Sequence, residues 1–395
     1  MIPFWLRRPF LIFRDLLTSR EKPDLEALSR LEDPEAFVWA ILPHAARTFS
    51  ACIALLPGRS ALPAAVAYLY CRMLDTYEDL VPDRARRETA LRAFAARLSV
   101  ADNGQLPPAP DIDAAADRDD RDRAHLLLVR RANLVDRVFL SFDVPTRDVV
   151  SELVRDMASG MCWSSATFEA QGGVLIGEEQ LATYCRHVLG NPAVFGVRLL
   201  RLLYGLEPAL TAAEREDAMR VGEMIQLANI TRDVEKDLRR GVAYDVALRA
   251  DLGRDAGARG KGSVDQQLAE RCRAVRERLL RMALVRATSY SRVVEAIRLP
   301  RWSVARASAV LMLLFTERYF RGCARRVRIA DWEGPNATLN LLVRTIPATF
   351  SRRVAEREIG RIEHAFVSAA ASTQRLWRHG EGPGILQPSP QAQSD

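Results

Sequence analysis

Two groups of acidic residues stand out in the 395-residue chain because their spacing would gather each onto one side of a helix. In the first, Tyr68, Arg72, Asp75 and Asp79 fall within about 60° of one another on a helical wheel, with Glu78 on the shoulder. Two or three carboxylates then share a face with a guanidinium. Burying like charges together is costly unless cations compensate them, and a divalent metal that also holds a phosphorylated ligand is one such compensation. A solvated helix end carrying ordinary acids is the simpler alternative. The second group is Gln226, Asn229, Asp233 and Asp237, at i, i+3, i+7 and i+11 and spanning about 80°, with Arg232 and Lys236 beside it. Exposed stripes more often use Glu and Lys pairs, whereas Gln and Asn in line with Asp suit ligation and hydrogen bonding. A solvated face remains the competing reading here too.

The elements that must carry these groups are helices. Ala61 to Leu74 is almost continuously apolar, with Pro63 suited to a first helical turn, so the first acidic group ends a buried helix. Thr211 followed by Glu214 predicts a capping box, and Gly241 a C-terminal stop, which brackets the second helix. Apolar residues recur at helical spacing in nearly every segment, while alternating β-branched runs bounded by hairpin turns are absent, so the fold class is all-α. Residues 102–124 and 250–266 read as solvated loops. The chain divides into an amphipathic, basic segment over 1–30, a helical domain over 31–378 and a disordered tail over 379–395.

Composition narrows the function classes. With 48% hydrophobic and 27% charged residues the chain buries a sizeable core. No uncharged apolar run reaches the ~18 residues of a membrane span. Six cysteines stand singly, without zinc-like spacing, which fits a reducing, cytoplasmic setting. The formal charge is +7, but the cations are almost all arginines dispersed through helical segments, without a basic tail or an aromatic RNA-binding signature, so no nucleic-acid role is expected. Phe4 to Arg14 mixes aromatics with cations, as interfacial anchors do, and suggests peripheral membrane contact; packing on the helical body is the alternative.

Taken together and in order, the two acidic groups resemble the paired motifs of the squalene and phytoene synthase family of head-to-head prenyltransferases. Asp75-Thr76-Tyr77-Glu78-Asp79 resembles the first motif, nearer its squalene branch, and Gln226 to Asp237 resembles the second through its Asn-x-x-Arg-Asp-x-x-x-Asp core. Arg47-Thr48-Phe49-Ser50 and Tyr184-Cys185 resemble two further shared elements. After the latter the chain continues Val188-Leu189-Gly190-Asn191-Pro192-Ala193, whose Asn-Pro pair resembles hydroxysqualene synthases. Phe320-Arg321-Gly322 faintly resembles a segment near the nicotinamide nucleotide of squalene synthases.

The resemblance implies a single-domain helical bundle of the isoprenoid synthase kind around a central cavity. It also implies a Mg2+-dependent joining of two prenyl diphosphates. Farnesyl diphosphate would give squalene or a related C30 product through presqualene diphosphate, with NADPH where a hydride ends the reaction. Phytoene, dehydrosqualene or hydroxysqualene synthesis from farnesyl or geranylgeranyl diphosphate is the nearest alternative. A non-catalytic assembly protein and a single-substrate terpene cyclase are the alternatives of other classes. Carried over residue by residue, Asp75, Glu78, Asp79, Asn229, Asp233 and Asp237 are metal ligands, the four aspartates also counting as catalytic. Arg47, Arg72 and Arg232 are diphosphate donors, helped by Arg240 and Tyr244, with Gln226 and Asn229 beside them. Phe49 lines the prenyl channel, and Tyr184 handles the cation or a proton.

Overall fold

The computed structural model describes residues 4–17, 22–46, 48–99, 105–112, 119–254, 263–300, 303–327 and 338–378. Arg47 and the tail expected over 379–395 lie outside them. Among the described residues the structure is helical, and its β-type pairing is an isolated parallel bridge between Val174 and Ala243. The all-α expectation holds.

The first half of the chain supplies α1 (Phe4–Leu17), α2 (Leu25–Ser29), α3 (Pro34–Ala46), α4 (Thr48–Ala54), α5 (Gly58–Leu80), α6 (Arg84–Arg97), α7 (Asp120–Arg130), α8 (Ala132–Leu140) and α9 (Val144–Ala170). These enclose one apolar core, in which Phe37, Tyr70, Tyr77, Phe94 and Phe139 are fully buried. The aromatics meet edge-on or tilted, as ring quadrupoles favour, with Tyr70 centred 5.8 Å from Phe94 and 5.7 Å from Phe139. Inside this core Arg97 donates to both oxygens of Asp136 at 2.7 and 3.0 Å, and the Tyr70 hydroxyl donates to the same carboxylate at 2.8 Å. Burying that charge pair is tolerable because its hydrogen bonds replace those of water.

The second half supplies α10 (Gly177–Cys185), a π-helical turn (Arg186–Gly190), α11 (Asn191–Leu203), α12 (Ala212–Arg239), α13 (Ser263–Leu284), α14 (Tyr290–Ala296), α15 (Val304–Arg326), α16 (Thr338–Phe350) and α17 (Arg352–Arg378). They enclose a second core, where Phe320 packs edge-on against Phe366 at 5.2 Å. Phe195 and Leu199 of α11 belong to the first core, while Val194, Val197 and Leu200 belong to the second, so this helix joins the two.

The capping box at Thr211 and Glu214 opens α12, and Gly241, at φ 80°, lies just beyond its end. Buried charges hold the middle of α12. Glu223, 2% exposed, accepts from Arg186 of the π-helical turn at 2.6 Å and from Arg286 beyond α13. Arg276 of α13 donates to the Thr231 carbonyl at 2.9 Å and pairs with Glu235. The helix also lies very close to the π-helical turn: a methyl group on Gly222 would stand 2.3 Å from the Leu189 carbonyl oxygen and 2.4 Å from the Gly190 backbone.

Three local expectations need correction. α5 begins at Gly58, so Pro63 lies in its second turn, where the chain forgoes one backbone hydrogen bond because the helix is anchored by burial. Residues 120–124 are already helical, since Asp119 caps α7 by accepting from the Asp122 amide at 2.8 Å. Residues 246–251 form a 3-10 turn, and α13 starts at Ser263, so both ends of the second stretch are helical.

α1 lies on the body. Arg7 pairs with Glu35 at 3.0 Å, Arg8 donates to the Leu56 carbonyl at 2.8 Å and Arg14 to that of Trp39 at 2.7 Å; Leu11 is buried while Leu6 and Phe10 remain exposed. Among the described residues, no helix is long and apolar enough to cross a membrane. All six cysteines are buried free thiols.

Candidate active site between two acidic helices

The acidic ends of α5 and α12 come from different cores and meet at the seam between them. Arg240, just beyond α12, places its Nη1 3.8 Å from Oδ1 of Asp79 on α5. Asp79 lies near enough to Asp237 for its charge to disfavour ionisation there.

On α5, Arg72 Nη1 pairs with Asp75 at 2.9 Å and its Nη2 donates to the Tyr68 hydroxyl at 3.1 Å, a contact that follows from the i, i+3, i+4 spacing. Phe49 of α4 packs against the Tyr68 ring at 5.8 Å. Burial holds the Asp75 carboxyl above its usual range, and Asp79 adds to this, while Arg72 and Arg121 of α7 oppose it. Glu78 goes further: burial, then the charges of Asp75 and Asp79, push its carboxyl up to about 8. Ser164 of α9 lies with its hydroxyl 3.1 Å from Glu78 Oε1.

On α12, Arg232 forms a two-pronged pair with the adjacent Asp233 at 2.8 and 2.6 Å, and its guanidinium stands 5.0 Å from the centre of the Tyr319 ring. Asn229 donates to Gln226 at 3.3 Å, and Gln226 is 8% exposed. Asp237 is pushed up to about 6 by burial first and by Asp233 second.

An aromatic cluster adjoins both acidic ends. Tyr184 of α10 centres 5.2 Å from Tyr244, and Phe168 of α9 stands edge-on to both at 6.0 and 5.9 Å. The two phenol oxygens are 3.3 Å apart. Burial, together with nearby Glu78, holds both phenols well above their ordinary range, so they remain protonated. The backbone explains why Tyr244 stands there. Ala243 donates to the Gly173 carbonyl at 2.9 Å and accepts from the Leu175 amide at 3.0 Å, which binds the turn after α12 to the segment after α9. Gly173 has φ 87°, and a methyl group on it would stand 2.4 Å from the Gly241 carbonyl oxygen, so glycine is required at that crossing.

The structure thus places Glu78, Asp79, Asp237, Tyr184 and Tyr244 about one seam. Asp75, Arg72 and Tyr68 stand along α5, with Phe49 of α4 packed on Tyr68, and Gln226, Asn229, Arg232 and Asp233 stand along α12. Arg240, expected as a helper of the diphosphate donors, joins them, as do Ser164, Phe168 and Arg121, which were not among the candidate site residues. A single serine or phenylalanine within a helix has no distinctive spacing. Phe320 and Arg321 are engaged elsewhere, in the core and with Glu317 at 2.6 Å respectively.

Among the described residues, no three His, Cys, Asp or Glu side chains stand close enough together to hold a metal ion unaided. The donor set nevertheless fits a hard cation. It is all oxygen, it is divided between two helices, and Asp75, Glu78 and Asp237 are each held toward the protonated form by burial and like charge, the signature of acids gathered without enough positive charge. Mg2+ characteristically takes one or two carboxylates and completes its shell with phosphate oxygens and water.

Comparison with known proteins agrees with this architecture. The family model for squalene/phytoene synthase matches residues 42–333. The chain is 29% identical over 215 residues to lycopaoctaene synthase of Botryococcus braunii, covering 53% of this chain and 43% of that protein. It is 29% identical over 200 residues to a probable squalene synthase of Neurospora crassa, covering 48% of this chain and 37% of that protein. The matched part is less than half the length of each of these relatives. Among solved structures, the complex of TcSQS with a ligand, BPH1237, superposes with a TM-score of 0.61 at 18% identity, covering 87% of this chain and 99% of that one, which is a likeness of fold.

Proposed function

The chain belongs to the squalene/phytoene synthase family, and from that membership we propose that it catalyses Mg2+-dependent, head-to-head condensation of two prenyl diphosphates. The substrate is two farnesyl diphosphates, and the route runs through presqualene diphosphate to squalene or a squalene-like C30 product. The observation that carries this reading is the meeting of Asp79 and Asp237, from helices of different cores, beside the Tyr184, Tyr244 and Phe168 rings. The name of the Neurospora relative, a probable squalene synthase, favours the squalene branch.

Asp75, Glu78 and Asp79 from α5 and Asn229, Asp233 and Asp237 from α12 would hold Mg2+ together with diphosphate. When bound, the metal supplies Lewis-acid stabilisation of negative charge on the departing group. Arg72 and Arg232 stand next to these carboxylates, and each would turn part of its donor fork to diphosphate oxygens once a metal takes over the aspartate it now pairs with. Arg47, the third arginine expected to donate, is proposed for the same task on sequence alone. Arg240, already drawn to Asp79, is placed to help it.

Departure of diphosphate leaves an allylic cation. The faces of Tyr184, Tyr244 and Phe168 offer it negative quadrupole density and exclude water that would trap it. The protonated phenols of Tyr184 and Tyr244 donate hydrogen bonds without adding a charge, and Tyr184 is the nearer candidate for handling a proton. Phe49, packed on Tyr68, would line the path of the prenyl chain. A hydride-terminated ending would draw on NADPH.

The test is incubation of the purified chain with labelled farnesyl diphosphate and Mg2+, with and without NADPH, alongside geranylgeranyl diphosphate. A C30 skeleton accompanied by diphosphate release supports the proposal. A C15 hydrocarbon would indicate cyclisation, and no release from either substrate by well-folded protein would indicate a binding role. Membrane association through α1 is proposed from its exposed Leu6 and Phe10; liposome co-sedimentation unaffected by replacing both residues with serine would remove it.

A further inference from the structure

Three consecutive residues after α12 are each tied to a different part of the fold. Ala243 is hydrogen-bonded to Gly173 and Leu175, beyond α9. Tyr244 stands among the rings of Phe168 and Tyr184. The Asp245 carboxylate is buried and accepts from Arg278 of α13. It also opens the 3-10 turn at Val246–Asp251 by accepting from the Ala247 amide at 2.9 Å.

That turn ends on a second buried carboxylate. Asp251 accepts from Arg271 of α13 at 2.8 and 2.7 Å and from Arg254 at 3.3 Å. Arg271 and Arg278 are seven residues apart on α13 and so share one face of it, which clamps both ends of the turn to the same helix. The two clamps are alike in burial: each aspartate side chain is 1% exposed, and the arginines are 39% and 40% exposed. They differ in what they adjoin. Asp245 follows Tyr244, whose phenol oxygen lies 3.3 Å from that of Tyr184, whereas Asp251 is six residues further along the chain. Removing the partner of a buried carboxylate is costly, so each clamp holds its end of the turn firmly. With the residues before and after it both held, Tyr244 has little freedom to leave Tyr184.

We propose that Asp245 and Arg278 are positioning residues: their pair holds the Tyr244 phenol against Tyr184 at the seam, and so governs the rate of the prenyl transfer assigned there. The effect on rate rests on that assignment, whereas the placement of Tyr244 by the pair does not.

The experiment compares Arg278→Gln with the matched control Arg271→Gln in the full chain, each read in two ways. The first readout is the fluorine resonance of fluorotyrosine incorporated at position 244, recorded in chelator, which requires no activity. Arg278→Gln should shift or broaden that resonance, and Arg271→Gln should leave it as in the parent. The second is steady-state diphosphate release from farnesyl diphosphate with Mg2+ by the unlabelled protein. Arg278→Gln should lower kcat about 10- to 100-fold, the scale of a misplacement of about 1 Å, with KM within about twofold. Arg271→Gln should keep kcat within about threefold, although it too breaks a buried pair. Asp245→Asn, which retains an acceptor for the Ala247 amide, should reproduce Arg278→Gln. Joining these two substitutions should lower kcat no further than either alone, because both remove one interaction. An unmoved resonance in Arg278→Gln and Asp245→Asn, equal effects of the exchanges at 278 and 271, or additive losses in the double variant would each overturn the proposal. A resonance moved by Arg278→Gln alone, in a parent that releases no diphosphate, would refute the reaction assigned to the seam and uphold the placement of Tyr244.

Discussion

Neutralising Asp237 should make the metal-free protein more stable and less active. Burial and Asp233 push this carboxyl from 3.8 to about 6, and each unit corresponds to about 1.4 kcal/mol of differential interaction between the two protonation states. The ceiling is therefore about 3 kcal/mol, and partial access to solvent screens it to about 1–2 kcal/mol. The sign follows from proton uptake. Between pH 3.8 and about 6 the folded state holds more protons at Asp237 than the unfolded chain does, so this site costs stability progressively as pH rises through that window, and the cost is complete above it. Asn carries no charge at any pH. In chelator, Asp237→Asn should exceed the parent by about 1–2 kcal/mol at pH 8, and the difference should vanish near pH 4. Urea unfolding at the two pH values measures this directly. Adding Mg2+ with inorganic diphosphate should then stabilise the parent, by about 2.7 kcal/mol at a hundred times the dissociation constant, and the variant much less. A variant no more stable than the parent at pH 8, or equally favoured at pH 4, would refute the argument that uncompensated negative charge is stored at this seam.

Two further substitutions test how the scaffold positions the seam. Gly222→Ala inserts a methyl group 2.3 Å from the Leu189 carbonyl oxygen; because the opposing atoms are backbone, α12 must move, and we expect a loss of about 1–3 kcal/mol by thermal or urea unfolding together with reduced diphosphate release. Stability within about 0.5 kcal/mol of the parent would show that this crossing is looser than its geometry implies. Asp136→Ala leaves Arg97 buried without its carboxylate and should cost about 3–5 kcal/mol, measured in the same way. A smaller loss in the double variant Asp136→Ala, Arg97→Met than in the single one would identify the orphaned charge as the cause.

The helices and their chemistry were legible in the sequence to different degrees. Local signals sufficed for α12: the Thr211 and Glu214 box, the glycine at 241 and the stripe from Gln226 to Asp237 are properties of one segment, and a helix presents them wherever it lies. They sufficed less well for α5, whose start precedes Pro63 because burial of its apolar face outweighs one missing hydrogen bond. Loop composition misplaced the starts of α7 and α13, since a single cap such as Asp119 can recruit charged residues into a helix. Arginine was the hardest residue to read. Arg97, Arg186, Arg201 and Arg276 resemble surface cations in one dimension, yet each pairs with an acid or carbonyl remote in sequence.

Residue type and periodicity, which act over a turn or two of helix, were enough to specify an all-α chain with two acidic helix faces. Only the folded chain could decide that those faces approach one another, because that depends on two separate cores meeting along α9, α11 and α12. It also decided which single residues, Ser164 and Phe168 among them, are carried to the seam. Their identities have no local pattern, and their positions follow from long-range contacts such as the pairing of Ala243 with Gly173.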